Sequence, residues 1–477
     1  MKKAAALFAF CVLLLSLTVF PSLAEGLAPG AEFVSGYYTC RLQDDGTAEI
    51  TAYSGEEAVL VLPEKLNGIS VTAVGSSAFQ SNLELIDLEI PEGYTLLGDY
   101  AFQRCPNLTD VALPASLKTV GLNPFAGCEA LSDIAVPEDH AFLLVVDSVL
   151  FSREDHRLIY YPRLLEKGPY TVPDGVQIIG ASAFYECDNV TEIGIPDSVT
   201  AIGKRAFWQC ASLRAIELPA GISTIGADAF SGCSQLKRIT FPENVTSIGE
   251  RAFQDCVNLE ELVLPEMITS IGEMAFRNCA SLTEIRLPQG VTTIGKNTFT
   301  DCKNLISLEL PEGLSYIGAG AFSECSALQK ADLPESVDYI GSNAFDGCTA
   351  MESIRIPDTC SYIGSYAFSR CSALKELALP SYVYTLNPYT FQGCISLETV
   401  TLPEELEEID VWAFAGCTAL PSVVIPDPVE VIGDYAFAYC SSLSSVVLPE
   451  DLETVGAHTF DQCPLLTDLP DLSDMIE

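Results

Sequence analysis

Side chains able to do acid–base or metal chemistry are few in this chain, and their spacing argues against a reaction centre. Its 477 residues hold three histidines, His140, His156 and His458. No nucleophile or metal-ligand spacing accompanies His140 and His156, so neither a catalytic triad nor a histidine metal site is expected. Carboxylates such as Glu217 and Glu261 recur at matching places, but paired-acid catalysis needs a fixed separation that the sequence does not supply. No phosphate-binding glycine loop, HExxH helix or calcium-binding nonapeptide occurs. The expectation is therefore no enzyme, no cofactor and no metal. What remains is the chemistry of contact. Tyr366, Tyr389, Trp412 and Tyr435 recur 23 residues apart, each two positions before a phenylalanine. Stacked in consecutive coils they would form an aromatic stripe. Two readings stay open: packing of a ridge, or an exposed strip of the kind that protein and sugar contacts use.

The elements that must position these residues follow from the same step. Thirteen phenylalanines stand 23 residues apart from Phe184 to Phe460, and Phe79, Phe102 and Phe125 keep the step upstream. A period of this length, held this strictly, marks a repeat solenoid of stacked coils. Within one coil, Ile216 and Leu218 alternate with polar residues and predict a short strand with both side chains inward. Pro219 cannot donate to a ladder and ends that strand. One such parallel strand per 23-residue coil is expected. A glycine falls four residues before almost every phenylalanine (Gly226 before Phe230, for example), with Asn387 and Asp410 as the exceptions. Those three residue types tolerate positive φ, which predicts a left-handed corner there.

Fifteen of the 18 cysteines lie three residues after a periodic phenylalanine, and Asn82 holds that place in the first coil. Equivalent positions on neighbouring coils stack in parallel, which suits disulfide geometry badly and predicts a buried ladder of free thiols. Cys40 and Cys360 stand off the ladder and are left as free or reactive.

Aspartate and glutamate outnumber lysine and arginine 65 to 24, a net charge of -41. That surface repels phosphate backbones and anionic lipid, which argues against nucleic-acid binding. Residues 1–24 read as a signal peptide: Lys2 and Lys3, an apolar run, then Ser22-Leu23-Ala24 as a cleavage site. Beyond it no apolar stretch is long enough to cross a membrane as a helix.

The recurring pattern Cys233-x-x-Leu236-x-x-Ile239-x-Phe241-Pro242-x-x-Val245-x-x-Ile248-Gly249-x-x-Ala252-Phe253 resembles the BspA-like, or Treponema pallidum-type, leucine-rich repeat. The resemblance spans residues 71–465 and implies a right-handed leucine-rich-repeat superhelix. Family members are mostly secreted or surface proteins, several of them similar to adhesins. It therefore implies a protein or glycan partner, without naming one, at the cell surface or outside the cell. The alternative is a scaffolding component of the envelope with no specific ligand. A monomer is expected.

Function is then sought where the rhythm breaks. Residues 25–70 read as an N-terminal β cap, with a hairpin turn at Asp44-Asp45-Gly46. Residues 138–173 form a variant coil with 13 extra residues, read as a β-hairpin around the polar turn Ser152 to His156. A binding loop there would offer His156, Tyr160 and Tyr161. Residues 466–477 read as a C-terminal cap.

Overall fold

The computed structural model describes residues 27–468 together with Leu472 and Met475. The expected signal segment, with Cys11, and most of the C-terminal tail lie outside the described residues. The described chain is a β-solenoid with no helix. Nearly every regular coil carries the short strand that the sequence predicts, such as Ala215–Glu217 or Arg238–Thr240, and at Glu261 it shrinks to a single bridge with Arg238. A second strand of two residues adds to it, such as Thr224–Ile225 or Ser247–Ile248. Both pair in parallel with their equivalents one coil away, Ile216 opposite Ile239 and Ile225 opposite Ile248.

The third side of each coil runs from the glycine to the cysteine and is built of turns. It too is hydrogen-bonded from coil to coil: Phe207, Phe230 and Phe253 each donate their N–H to the alanine carbonyl before the next phenylalanine, at 2.8 Å. Backbones therefore approach at about strand spacing, ~4.8 Å, on every side. Inside, the phenylalanines stack into a continuous ladder, with Phe230, Phe253 and Phe276 at centroid spacings of 5.3 and 5.4 Å and ring planes 3° apart.

The recurrent glycines do not form left-handed corners, contrary to the reading from residue type. None of them has a positive φ. Their requirement is steric. A Cβ on Gly249 would lie 2.6 Å from the backbone nitrogen of Ala227 in the preceding coil, and one on Gly272 would lie 2.4 Å from that of Glu250. At Asn387, where glycine is missing, the side-chain Nδ2 donates to the Ile363 carbonyl at 2.6 Å. In the preceding coil the corresponding donor is the N–H of Gly364, to Ile340, at 2.8 Å. The left-handed residues sit instead two positions before and two after the phenylalanine, as at Asp228 and Gly232 around Phe230, with φ of 55° and 77°.

The cysteine ladder is present, with free and buried thiols. Each donates to the carbonyl of the stacked aromatic residue one coil back, Cys210 to Phe184 at 3.0 Å, Cys256 to Phe230 at 3.2 Å and, after the variant coil, Cys187 to Tyr161 at 3.5 Å. That carbonyl also accepts the backbone N–H of its own coil's cysteine, Cys233 to Phe230 at 3.1 Å. The thiol thus satisfies the second lone pair of a buried carbonyl that apolar side chains would leave bare. Asn82 does the same in the first coil, donating from Nδ2 to the Gly55 carbonyl at 3.2 Å. Cys40 and Cys360 are buried as well, and burial pushes both thiols up to about 11. They are core residues, not reactive ones.

At the N-terminus, Glu32–Ser35, Tyr38–Leu42 and Ala48–Tyr53 form an antiparallel sheet whose last strand pairs in parallel with Ile69–Val74. At the other end Met475 accepts the Val455 N–H at 2.9 Å. The variant coil is a three-strand meander. Val149–Ser152 pairs antiparallel with Arg157–Tyr160, across the polar turn read from the sequence, and also with Leu143–Val146. The second turn, Asp147-Ser148, has φ of 48° and 64° and was hidden within an apolar run. This meander divides the interior. Leu143, Leu150, Ile159 and Tyr160 belong to the core before it, and Val149, Phe151 and Leu158 to the core after it.

Two measurements test this packing. Gly249→Ala should cost about 1–3 kcal/mol in urea unfolding because no flexible atom can yield. Gly313→Ala, whose Cβ would meet nothing within 4 Å, should stay within about 0.5 kcal/mol of the parent. Burial holds the thiols of Cys302 and Cys417 up to about 12. Native protein should therefore resist iodoacetamide at the inner rungs from Cys187 to Cys417 at about pH 8, where a free thiol is substantially ionised, and be alkylated there once unfolded.

Candidate binding surfaces

The stripe residues come together. Tyr366 and Tyr389 stack at 4.4 Å, Tyr389 and Trp412 at 6.0 Å, and Trp412 and Tyr435 at 4.5 Å, with ring planes within 17°. His458 continues the row at 4.8 Å from Tyr435, and Tyr439 lies 6.3 Å from Trp412. The four predicted rings are half-buried, while His458 and Tyr439 are exposed. All four occupy the left-handed slot two before the phenylalanine, with φ between 58° and 61°. Bulky residues are uncommon at such angles; other coils fill the slot with Asp228, Asn297, Asn343 or Gly320, and also with the long side chains of Arg205, Arg251 and Met274. Backbone preference therefore does not explain the aromatics. Ring-on-ring contact along the row, worth about 0.5–1.5 kcal/mol per pair, offsets the strain.

The variant-coil residues separate. His156 is exposed, with φ of 51°, and borders an apolar cleft of about 630 Å³ lined by Leu144, Val146, Phe151 and Val176. Tyr160 and Tyr161 are core residues, at 3% and 4% exposure, and cannot meet a partner. Tyr161 falls 23 residues before Phe184 and takes the phenylalanine's place, stacking on that ring at 4.8 Å. Tyr160 sets its ring edge against Phe125 at 6.0 Å, and its hydroxyl donates to the Leu131 carbonyl at 3.3 Å. His140 is buried too. Its Nε2 lies 3.0 Å from the Pro114 carbonyl, and its Nδ1 accepts the N–H groups of Phe142 and Leu143. That arrangement closes a turn and leaves no nitrogen for catalysis.

The face of the three-residue strands is solvated and laced with ion pairs, among them Arg286 with Glu266 at 2.8 Å and Lys330 with Asp332 at 2.7 Å. Exposed pairs of this kind contribute little stability. Two aromatic groupings were missed in the sequence. Tyr316, Tyr339 and Tyr362 stack at 4.7 Å on the two-residue strands, and the same 23-residue step would have shown them. Trp208 stacks on Tyr185 at 4.6 Å, beside the phenylalanine ladder whose regularity drew attention away from it.

The sequence pattern described as "BspA type Leucine rich repeat region" matches this chain in six copies, over residues 64–155, 165–282, 247–375 and 362–471. The chain belongs to the BspA-type leucine-rich repeat family. Among solved structures, it is similar to a leucine-rich repeat protein from Bacteroides ovatus, with 28% identity over 91% of this chain and 93% of that one, and a TM-score of 0.55. A leucine rich cell surface protein from Faecalibacterium prausnitzii matches at 22% identity over 92% and 93% of the two chains, with a TM-score of 0.35. A leucine-rich repeat protein from Eubacterium ventriosum matches at 20% identity over 72% and 95%, with a TM-score of 0.45. No curated protein matches. Leucine-rich repeats of this type are repeat scaffolds suited to protein binding, and no helix among the described residues is long and apolar enough to cross a membrane.

The placement of Tyr161 gives a direct test. Tyr161→Phe restores the residue of the regular coils and should change stability by less than about 0.5 kcal/mol, whereas Tyr161→Ala should cost about 3–5 kcal/mol in chemical denaturation.

Proposed function

We propose that this chain is a secreted or surface-displayed, non-catalytic recognition protein that binds a macromolecular partner, foremost a protein, along its turn side. Adhesion to a neighbouring cell or to host surface molecules is the role this reading favours. The observation that carries it is the aromatic row from Tyr366 to Tyr435, half-buried and held at backbone angles that favour glycine and asparagine. Tyrosine and tryptophan are the residues that dominate interface energetics, because a rigid ring gives large contact area at low entropic cost. A straight row across four coils offers several such anchors at once, so affinity comes from a long face and not from a pocket. The family assignment and the basic, apolar and small-residue order of residues 1–24 support export and display.

The test is a pull-down with the mature chain against extracellular-matrix proteins, followed by titration of the captured partner. Trp412→Ser combined with Tyr435→Ser should weaken binding at least about tenfold while leaving the fold cooperative in thermal unfolding. Undiminished binding would remove the stripe from the interface. Absence of any partner, together with tight retention in the envelope, would assign the chain a scaffolding role instead.

A further inference from the structure

A cleft of about 790 Å³ opens on the turn side near Trp208, several coils away from the aromatic row. Its origin lies in the ladder rule. Residues one position after the phenylalanine stack from coil to coil, and here they run Tyr185, Trp208, Ser231. Tyr185 covers one face of the indole at 4.6 Å, with its hydroxyl accepting from Arg104 at 3.0 Å. The next rung is only a serine, so no ring covers the other face. Gly232, with φ of 77°, follows it, and the ladder drops into a hollow.

The lining is dense in planar hydrogen-bonding groups. Five carboxylates stand against two guanidinium groups, Arg163 and Arg251. Arg163 pairs with Glu186 at 3.1 Å and Asp188 at 3.3 Å, and Arg251 Nε donates to Asp228 Oδ1 at 2.8 Å. Asp228 is 3% exposed, and its Oδ2, although near Arg205 and Lys204, receives no hydrogen bond. Gln254 Oε1 is likewise buried without a donor.

We propose that this cleft is a saccharide site, taking an uncharged or amino-bearing oligosaccharide with one pyranose ring laid on the uncovered face of Trp208. A pyranose presents an apolar C–H face to an aromatic ring and a rim of hydroxyls that both donate and accept. Carboxylate and guanidinium forks match neighbouring hydroxyl pairs. The excess of carboxylates opposes sialylated or uronic glycans. The volume lies within the range of small-molecule sites, about 300–1,000 Å³.

The chain has only two tryptophans, Trp208 and Trp412, which makes the site readable. In the mature chain carrying Trp412→Phe, Trp208 alone reports on ligand. A panel of neutral, amino and sialylated oligosaccharides, including chitotriose, its deacetylated form, maltotriose and sialyllactose, is titrated by fluorescence. Neutral or amino members should shift the emission. Trp208→Ala, followed by calorimetry, should weaken them at least about fivefold, the loss of one stacking contact. Ser231→Tyr extends the ring ladder over the open face at the cost of one serine hydroxyl and leaves every charged group of the lining in place, so it should block binding while unfolding stays cooperative. No shift with any member, preference for sialyllactose, or unaltered affinity in Ser231→Tyr would overturn the proposal, as would capture of oligolysine in place of saccharide. The double variant at Trp412 and Tyr435 should retain saccharide, which separates this site from the protein-binding row.

Discussion

Close approach of backbone to backbone is the constraint on which the rest of this structure depends. Each coil lies on the one before at hydrogen-bonding distance along all three sides, so every position faces its own equivalent. Glycine is required at the corner because the preceding coil's backbone already occupies the space of a Cβ, as at Gly249 above Ala227. Phenylalanine recurs because a ring sliding over its own copy fills the interior without gaps. The thiol recurs because a small donor must reach one coil back to a carbonyl that has a lone pair to spare.

The same constraint sorts surface from interior. Where equivalent outward positions are all aromatic, as from Tyr366 to Tyr435, they fuse into one continuous feature. Where the series steps from Tyr185 and Trp208 to Ser231, it leaves a ring face open and a hollow beside it. A long aromatic ridge and a compact hollow are thus two outcomes of one packing rule, differing only in whether the ladder continues.

Much of this was legible in the sequence, because a strict repeat converts position into neighbourhood. The solenoid, the proline-ended strand, the thiol ladder and the aromatic row all follow from counting. The left-handed slots were misplaced because residue type alone does not distinguish two reasons for glycine. The corner glycine answers a clash with another coil, which no single coil reveals. The true slots carried their own mark, Gly, Asn and Asp recurring on either side of the phenylalanine, as in Asp228 and Gly232, but diluted by tyrosines and arginines that tolerate the strain. In the variant coil the count fails altogether. Tyr160 and Tyr161 looked like surface residues of a loop because the 13 inserted residues hid that Tyr161 keeps the register of Phe184.

The meander at Leu143–Ser152 and Arg157–Tyr160 has one more consequence. Along Val149–Ser152 alternate side chains serve different cores, Leu150 the one before and Val149 and Phe151 the one after. A solenoid whose coils touch only their neighbours transmits cooperativity by contact, and here the contact changes hands across a single thin sheet. The chain is therefore two arrays joined at a bulkhead. Coils can be gained or lost on one side without disturbing the packing of the other. Under a pulling force, as on a tethered protein in flow, the bulkhead is where one array can open while its neighbour stays closed.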